Sequence, residues 1–239
     1  MVSHRTYKHV IPGIDMEELG GLLIVIEGPD SSGRSTQIWL LSRWLEQLGF
    51  AVEQMGLKRS KLVANELEKA KEGNVLSPRT MALFYATDFY DQLENRIVPA
   101  LRAGSVVLAD RYVYTLMARD MIRGAHADWL KPLYSMAVVP DAVYLLDTSA
   151  ENILDRTLSS RGKLDYWESG MDLGLARDWY ESFTRYQENL RLQFEQIMTD
   201  YPLERIHGDR PILEIHEDLK SRIERILPTL TELHRSPPI

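Results

Sequence analysis

The chain of 239 residues predicts an α/β fold in three layers, a five-stranded parallel sheet between two layers of helices. Three observations carry that prediction. Short apolar runs at 22–26, 50–55, 105–109, 142–146 and 203–206 alternate with stretches of helical period. A glycine-rich loop, Gly28-Pro29-Asp30-Ser31-Ser32-Gly33-Arg34-Ser35-Thr36, lies between the first run and the first helix. Each crossover between parallel strands needs a helix, so both faces of the sheet are covered.

Residues 1–20 carry Pro12, Gly13 and Gly20 without a sustained period. They read as an N-terminal extension, with the fold beginning near Gly21. The strand at 22–26 runs into the loop, and 35–48 follow as a helix closed by Gly49. A second strand, 50–55, ends at Gly56-Leu57-Lys58-Arg59-Ser60-Lys61. Residues 62–72 read as helix. A longer helix runs from Arg79 to Leu101, with an end or bend near Pro99, whose ring removes a backbone donor. The third strand, 105–109, exits at Asp110-Arg111-Tyr112. The fourth, 142–146, leads into Asp147-Thr148-Ser149 and a helix bearing Leu154 and Leu158. A polar stretch over about 159–171 reads as a small lid. A long helix through Trp179, Phe183, Tyr186 and Phe194 comes next, then the strand at 203–206 and a last helix at 212–226. This organisation predicts one domain over 21–227 and a C-terminal tail at 228–239.

Composition narrows the function classes. The absence of cysteine excludes a disulfide framework and any thiolate metal site. Six histidines are scattered without ligand spacing. Neither a Gly-x-Ser-x-Gly element nor a Cys–His pairing supports hydrolase chemistry. A formal charge of −7 argues against a polymeric nucleic-acid partner while permitting a basic pocket for a small anion. No apolar run has the length of a membrane span and the first residues lack an apolar secretory core. A soluble, cytoplasmic protein without a membrane partner is expected.

The loop points to phosphate chemistry. Glycines at both ends let the chain turn tightly, so the amides from Gly28 through Ser31, Ser32 and Gly33, and those of Arg34, Ser35 and Thr36 at the helix N-terminus, converge on a phosphate. The Ser35 hydroxyl is placed to meet magnesium. Arg34 stands where the motif has lysine. A planar fork with five donors either clamps phosphate or leaves a site that binds nucleotide and turns over slowly. Asp110, at the end of an apolar strand, is placed to hold magnesium opposite Ser35, and Arg111 to hold an acceptor phosphate. Arg59, within a basic cluster with Lys58 and Lys61, suits a bidentate monophosphate contact or is solvated surface charge. Tyr85 and Phe89 share a helix face with Asp88 and Gln92 beside it; that face either stacks on a base or packs the core. Arg156, Arg161 and Lys163 border the lid, which either closes over phosphates or is an exposed, self-paired loop.

These segments resemble the thymidylate kinase family of nucleoside monophosphate kinases over about 21–227. The resemblance rests on 26–37, on Leu83-Phe84-Tyr85-Ala86-Thr87-Asp88, on Ala109-Asp110-Arg111-Tyr112 and on Ser160-Arg161-Gly162-Lys163-Leu164-Asp165. It implies a P-loop kinase fold, transfer of the ATP γ-phosphate to dTMP, magnesium and a homodimer. It also implies that Asp30 faces the acceptor, that Arg59 follows the second strand as an acceptor ligand, that Tyr85 stacks on thymine, that Asp110 and Arg111 serve magnesium and acceptor, and that Arg161 meets the ATP phosphates. Three departures stand out: Arg34 for lysine, Gly56-Leu57-Lys58-Arg59 for the common Arg-Glu-Pro-Gly, and Phe89 for an arginine that touches the acceptor base.

The expected catalytic residues are therefore Arg34, Asp110 and Arg161. Gly28, Ser31, Ser32, Gly33, Arg34, Ser35, Thr36 and Arg156 are expected to bind ATP, and Asp30, Arg59, Tyr85, Asp88, Phe89 and Arg111 the acceptor, with Ser35 and Asp110 on magnesium. Two alternatives stay open: a nucleotide-binding sensor or structural protein with little turnover, and a kinase of another small molecule. Helix faces such as Tyr85/Phe89 and Met117/Met121 permit contact with a second subunit and suit core or pocket equally well.

Overall fold

The structure, a computed structural model, describes residues 4–73 and 76–227; the tail 228–239 lies outside the described residues. The sheet holds β1 (Leu22–Glu27), β2 (Val52–Gly56), β3 (Val106–Asp110), β4 (Ala142–Asp147) and β5 (Glu204–His207). Their order is β2-β3-β1-β4-β5, with every pairing parallel. Strand register aligns the ends that carry the polar loops. Ile26 and Gly56 both pair with Asp110, so the exits of β1, β2 and β3 stand level on one rim.

Helices α1 (Arg34–Gln47) and α9 (Ile212–Ile223) cover one face. Leu22, Ile24 and Ile26 pack there with Leu41, Leu45 and Leu219. On the other face Leu23 and Val25 meet Phe89, Met117, Leu190 and Phe194, from α3 (Pro78–Gln92), α5 (Val113–Ile122) and α8 (Trp179–Met198). The continuous apolar character of β1 follows from this: alternate side chains enter two separate cores, each worth about 1.5–3 kcal/mol when fully buried. Helices α2 (Ala64–Gly73), α4 (Val98–Arg102), α6 (Ala127–Leu133) and α7 (Ala150–Arg161) complete the layers.

The structure departs from the sequence reading in four places. The long helix expected from Arg79 to Leu101 is interrupted by a π turn at Leu93–Ile97, after which Pro99 sits in the first turn of α4. A widened turn removes the clash of the proline ring with the carbonyl four residues before it. Helices α5 and α6 fill a stretch in which the sequence suggested no element. Val113, Tyr114, Thr115, Leu116, Met117 and Ala118 are all buried, and α5 starts at Tyr112 without a capping side chain, so its beginning carries no local signal. The polar stretch begins later than expected because α7 continues to Arg161 and ends on Gly162 in the left-handed conformation. The N-terminal extension is part of the packed body. Thr6 bridges Val138, Val139 N–H donates to the Arg5 carbonyl at 2.7 Å, and Ile11 and Leu19 are buried.

The helix faces offered to a second subunit are used within this one. Phe89 and Met117 lie in the core, Met121 packs against it, and Tyr85 lines a cavity beside the phosphate loop. Among the described residues, no helix is long and apolar enough to cross a membrane.

Candidate active site

The phosphate loop is held by contacts that only its sequence permits. Gly28 has φ +142°, and a Cβ there would stand 2.9 Å from the Leu146 carbonyl oxygen and 3.0 Å from Ser32 Oγ. Gly33, with φ +97°, forms the N-cap of α1. Ser31 also has a positive φ, and its hydroxyl meets Thr157 Oγ1 of α7 at 2.8 Å. Arg156 spans the loop from above: Nη1 donates to the Ser32 carbonyl at 3.3 Å and Nη2 to the Gly208 carbonyl at 3.0 Å. The loop after β1 is thereby tied to α7 and to the segment after β5. Thr36 is exposed at the helix start.

Arg34 is buried and turned back into the loop. Its Nε donates to Asp110 Oδ1 at 2.8 Å, while Nη1 donates to the carbonyls of Gly28, at 2.6 Å, and Pro29. The Ser35 hydroxyl donates to the second Asp110 oxygen at 3.1 Å. Burial raises the Asp110 pKa, but the charges of Arg34 and Arg111 and the bonds from Arg34 and Ser35 outweigh it, holding the carboxyl below the usual range. Ser35 and Asp110 thus present two adjacent hard oxygens. Such a pair fits magnesium, which is commonly bound by one or two protein oxygens with substrate phosphate and water completing the octahedron.

Beyond the loop a cavity of about 390 Å³ opens. Asp30 reaches it from the phosphate loop, Arg111 from the exit of β3, and Tyr85 from α3. Arg111 Nη2 lies 2.5 Å from one Asp30 oxygen and Arg119 Nη2 2.5 Å from the other. Burial alone would raise the Asp30 pKa; Arg111, then Arg119 and Arg34, override it and hold the carboxylate well below its ordinary range. Arg111 has φ +74°, a conformation costly for a residue with a Cβ. Lys58 and Arg161 also line the cavity, paired with Glu68 and Glu168. Asp165 caps the turn beside the lid by accepting from the amides of Trp167, at 2.9 Å, and Glu168.

Two expected acceptor residues are corrected, and a third lies on the rim. Phe89 is fully buried, with its ring edge-on to Tyr90, Tyr112 and Tyr134, and it belongs to the core rather than the cavity. Asp88 is fully buried one helix position away. Its oxygens accept from the amides of Lys58 at 2.8 Å and Ser60 at 2.9 Å, so it shapes the loop after β2 instead of touching a ligand. Arg59 lies against Gly56 on the rim, where an added Cβ would meet its guanidinium carbon at 3.2 Å. Its neighbour Lys58, with φ +59°, lines the cavity.

Sequence reasoning missed four further residues. Glu27, the residue before the loop, is fully buried and accepts from the amides of Tyr112 at 2.8 Å and Thr115 at 3.2 Å and from the Thr115 hydroxyl. Burial raises its pKa despite these donors. Arg119, Asp120 and Arg123 all project from α5 into the cavity. Arg123 pairs with Asp172 at 2.9 Å, while burial lifts the Asp120 carboxyl to about 7 against the opposing charges of Arg123 and Arg119. The consecutive charges Arg119-Asp120 and nearby Arg123 were the available signal, in a stretch otherwise apolar.

A family model described as thymidylate kinase matches residues 26–217, a span that contains the loop, the Asp110–Arg111 pair and the lid. A protein of Saccharolobus solfataricus named probable thymidylate kinase 2 is 35% identical, over 84% of this chain and 94% of its own. One of Thermococcus kodakarensis, named probable thymidylate kinase, is 36% identical over 61% of this chain and 75% of its own. A thymidylate kinase of Exiguobacterium is 29% identical over 87% and 97%. With a nucleotide-kinase phosphate loop on a five-stranded parallel sheet and that match over most of its length, the chain belongs to the thymidylate kinase family.

Proposed function

We propose that the chain transfers the γ-phosphate of ATP to dTMP or a closely related nucleoside monophosphate, with magnesium. The observation that carries this reading is Asp30: it belongs to the phosphate loop, yet it lines the neighbouring cavity and pairs with Arg111, the residue after Asp110. Donor and acceptor sites then share one loop. An oxygen of the acceptor phosphate attacks the γ-phosphorus as the bond to the β-phosphate oxygen breaks; ADP and a nucleoside diphosphate leave, and no covalent protein intermediate is needed. Loop amides and the α1 N-terminus bind the donor phosphates, and Arg156, between Ser32 and Gly208, borders the remainder of the donor. Tyr85 offers the acceptor base a stacking face. Arg161, exposed on the lid side of the cavity, brings positive charge over the transferring group. Magnesium held at Ser35 and Asp110 would neutralise charge on the donor phosphates.

One observation favours a second reading. Arg34 is committed to two loop carbonyls and Asp110, which suits a protein that binds nucleotide and turns it over slowly. A panel of nucleoside monophosphates with ATP and magnesium, read by diphosphate formation, separates the two. Fastest turnover with dTMP is expected. Absence of diphosphate from every acceptor, with ATP still bound tightly, would refute transfer and favour the second reading.

A further inference from the structure

Arg119 is the least expected group in the cavity. It lies on α5, two turns beyond Arg111. Yet both guanidinium groups converge on Asp30, one on each carboxylate oxygen, from opposite ends of the same short segment. Two positive groups against one negative group leave this buried cluster with an excess positive charge. Each arginine also retains an unmet donor: the Nε–H groups of Arg111 and Arg119 are buried and have no hydrogen-bond partner among the described residues. A buried charged donor without an acceptor is costly.

The surroundings add to the imbalance. Lys71 lines the same cavity, and burial, then the charge of Lys58 and that of Arg119, depresses its ammonium, while Lys58 itself is paired with Glu68. Arg123 and Arg161 are each neutralised by a carboxylate, Asp172 and Glu168. The unneutralised charge therefore gathers at the Asp30 end, beside the phosphate loop. The ion pair with Asp30 keeps the Arg111 guanidinium there.

We propose that Arg119 and Arg111 form a two-arginine clamp on the acceptor phosphate, with Asp30 holding the guanidinium groups apart at the spacing that phosphate oxygens require. Each arginine gives one N–H to Asp30 and keeps others for the ligand, so the clamp is assembled before substrate arrives. A planar fork suits this double duty, whereas a lysine would present one point charge. This inference rests on the reading of the cavity as an acceptor site, but it concerns binding alone and needs no turnover.

The test compares dTMP with thymidine, which lacks the phosphate, by titration calorimetry on the wild type, Arg119→Gln and Arg119→Lys, with circular dichroism to verify folding. The ratio of the two affinities isolates the phosphate. Arg119→Gln should reduce that ratio by roughly ten- to hundred-fold, the loss expected for a hydrogen bond to a charged group, and Arg119→Lys by less. Thymidine affinity should be nearly unchanged. A purely structural role for Arg119 would weaken both ligands alike and leave the ratio intact, which overturns the clamp; so does failure of dTMP to bind the wild type. Should the acceptor panel yield no diphosphate while Arg119→Gln still abolishes the preference for dTMP, the kinase reading falls and the clamp stands. Normal turnover with an unchanged ratio overturns the clamp and leaves the kinase reading in place.

Discussion

Removing Arg34 tests how the unusual loop is built. In Arg34→Ala, Asp110 loses a charge-assisted bond at 2.8 Å and the carbonyls of Gly28 and Pro29 lose their donor. Side-chain exposures of 7% for Arg34 and 14% for Asp110 place the pair close to the buried limit, where breaking one partner costs about 3–5 kcal/mol. Ser35 still donates to Asp110 and Arg111 still lies close, so the lower end applies, about 3 kcal/mol. For a chain of this size that corresponds to a fall of roughly 6–12 °C in Tm.

The pH dependence gives a sharper signature. Asp110 has a depressed pKa in the folded protein, so its stabilising contribution is present above the unfolded value of about 3.9 and is lost as pH falls through the lower folded value. Without Arg34 that folded value rises. The stability difference between wild type and Arg34→Ala should therefore be largest at neutral pH and shrink on acidification below about 4. Urea unfolding at pH 7 and at the lowest pH at which both proteins fold measures it. A difference under about 1 kcal/mol at neutral pH, or one that grows on acidification, would show that Arg34 does not neutralise Asp110. Arg34→Lys should recover part of the stability, since one ammonium can reach the loop carbonyls but cannot also reproduce the Nε bond to Asp110.

Asp120→Asn should be more stable relative to wild type at pH 8.5 than at pH 5.5, by at least about 1 kcal/mol, in thermal melts. The wild-type carboxyl has a folded pKa of about 7 against an unfolded value near 3.9, so the native state binds more protons in between and loses stability as pH rises. A difference independent of pH would refute the raised value. Phe89→Arg, the change that restores the family residue, should destabilise by about 4 kcal/mol or more and not sharpen acceptor choice, because it places a charge among three aromatic rings. A stable variant with improved dTMP selectivity, measured by kcat/KM across acceptors, would put position 89 back in the cavity.

Local signals made the geometry of the phosphate loop and of the β3 exit legible. Gly28, Gly33, Ser35 and Asp110 are set by strand exits and glycine conformations, both of which are written in a few neighbouring residues. Acceptor-side geometry was less legible because it depends on which way a side chain leaves a helix or turn. Tyr85 and Phe89 share a helix face, yet Tyr85 reaches the cavity while Phe89 is drawn into a cluster with Tyr90, Tyr112 and Tyr134. Lys58 and Arg59 are adjacent, yet Lys58 lines the cavity while Arg59 lies against Gly56 on the rim. Helix α5 is hidden in the sequence because it starts at Tyr112 without a capping side chain and opens on Val113-Tyr114-Thr115, residue types that favour strands. With it went Arg119 and Asp120 on its last turns and Arg123 at its C-cap.

Glu27 explains why α5 carries so much of the cavity. It is the last residue of β1 and directly precedes Gly28, so it is fixed to the phosphate loop by one peptide bond. Its carboxylate meets the amides of Tyr112 and Thr115, which are orphan donors at the start of α5. The helix that presents Arg119 is therefore pinned to the strand that presents the loop, and Asp30 closes the circuit by pairing with Arg111 and Arg119. A displacement of the loop by donor phosphates would be transmitted to both arginines through Glu27 on one side and Asp30 on the other. In the proposed reaction, donor and acceptor groups would thus be positioned by the linked unit of β1, the loop and α5. That is the arrangement an in-line transfer demands, because the reacting oxygen and phosphorus must be held within a few tenths of an ångström of a near-attack geometry.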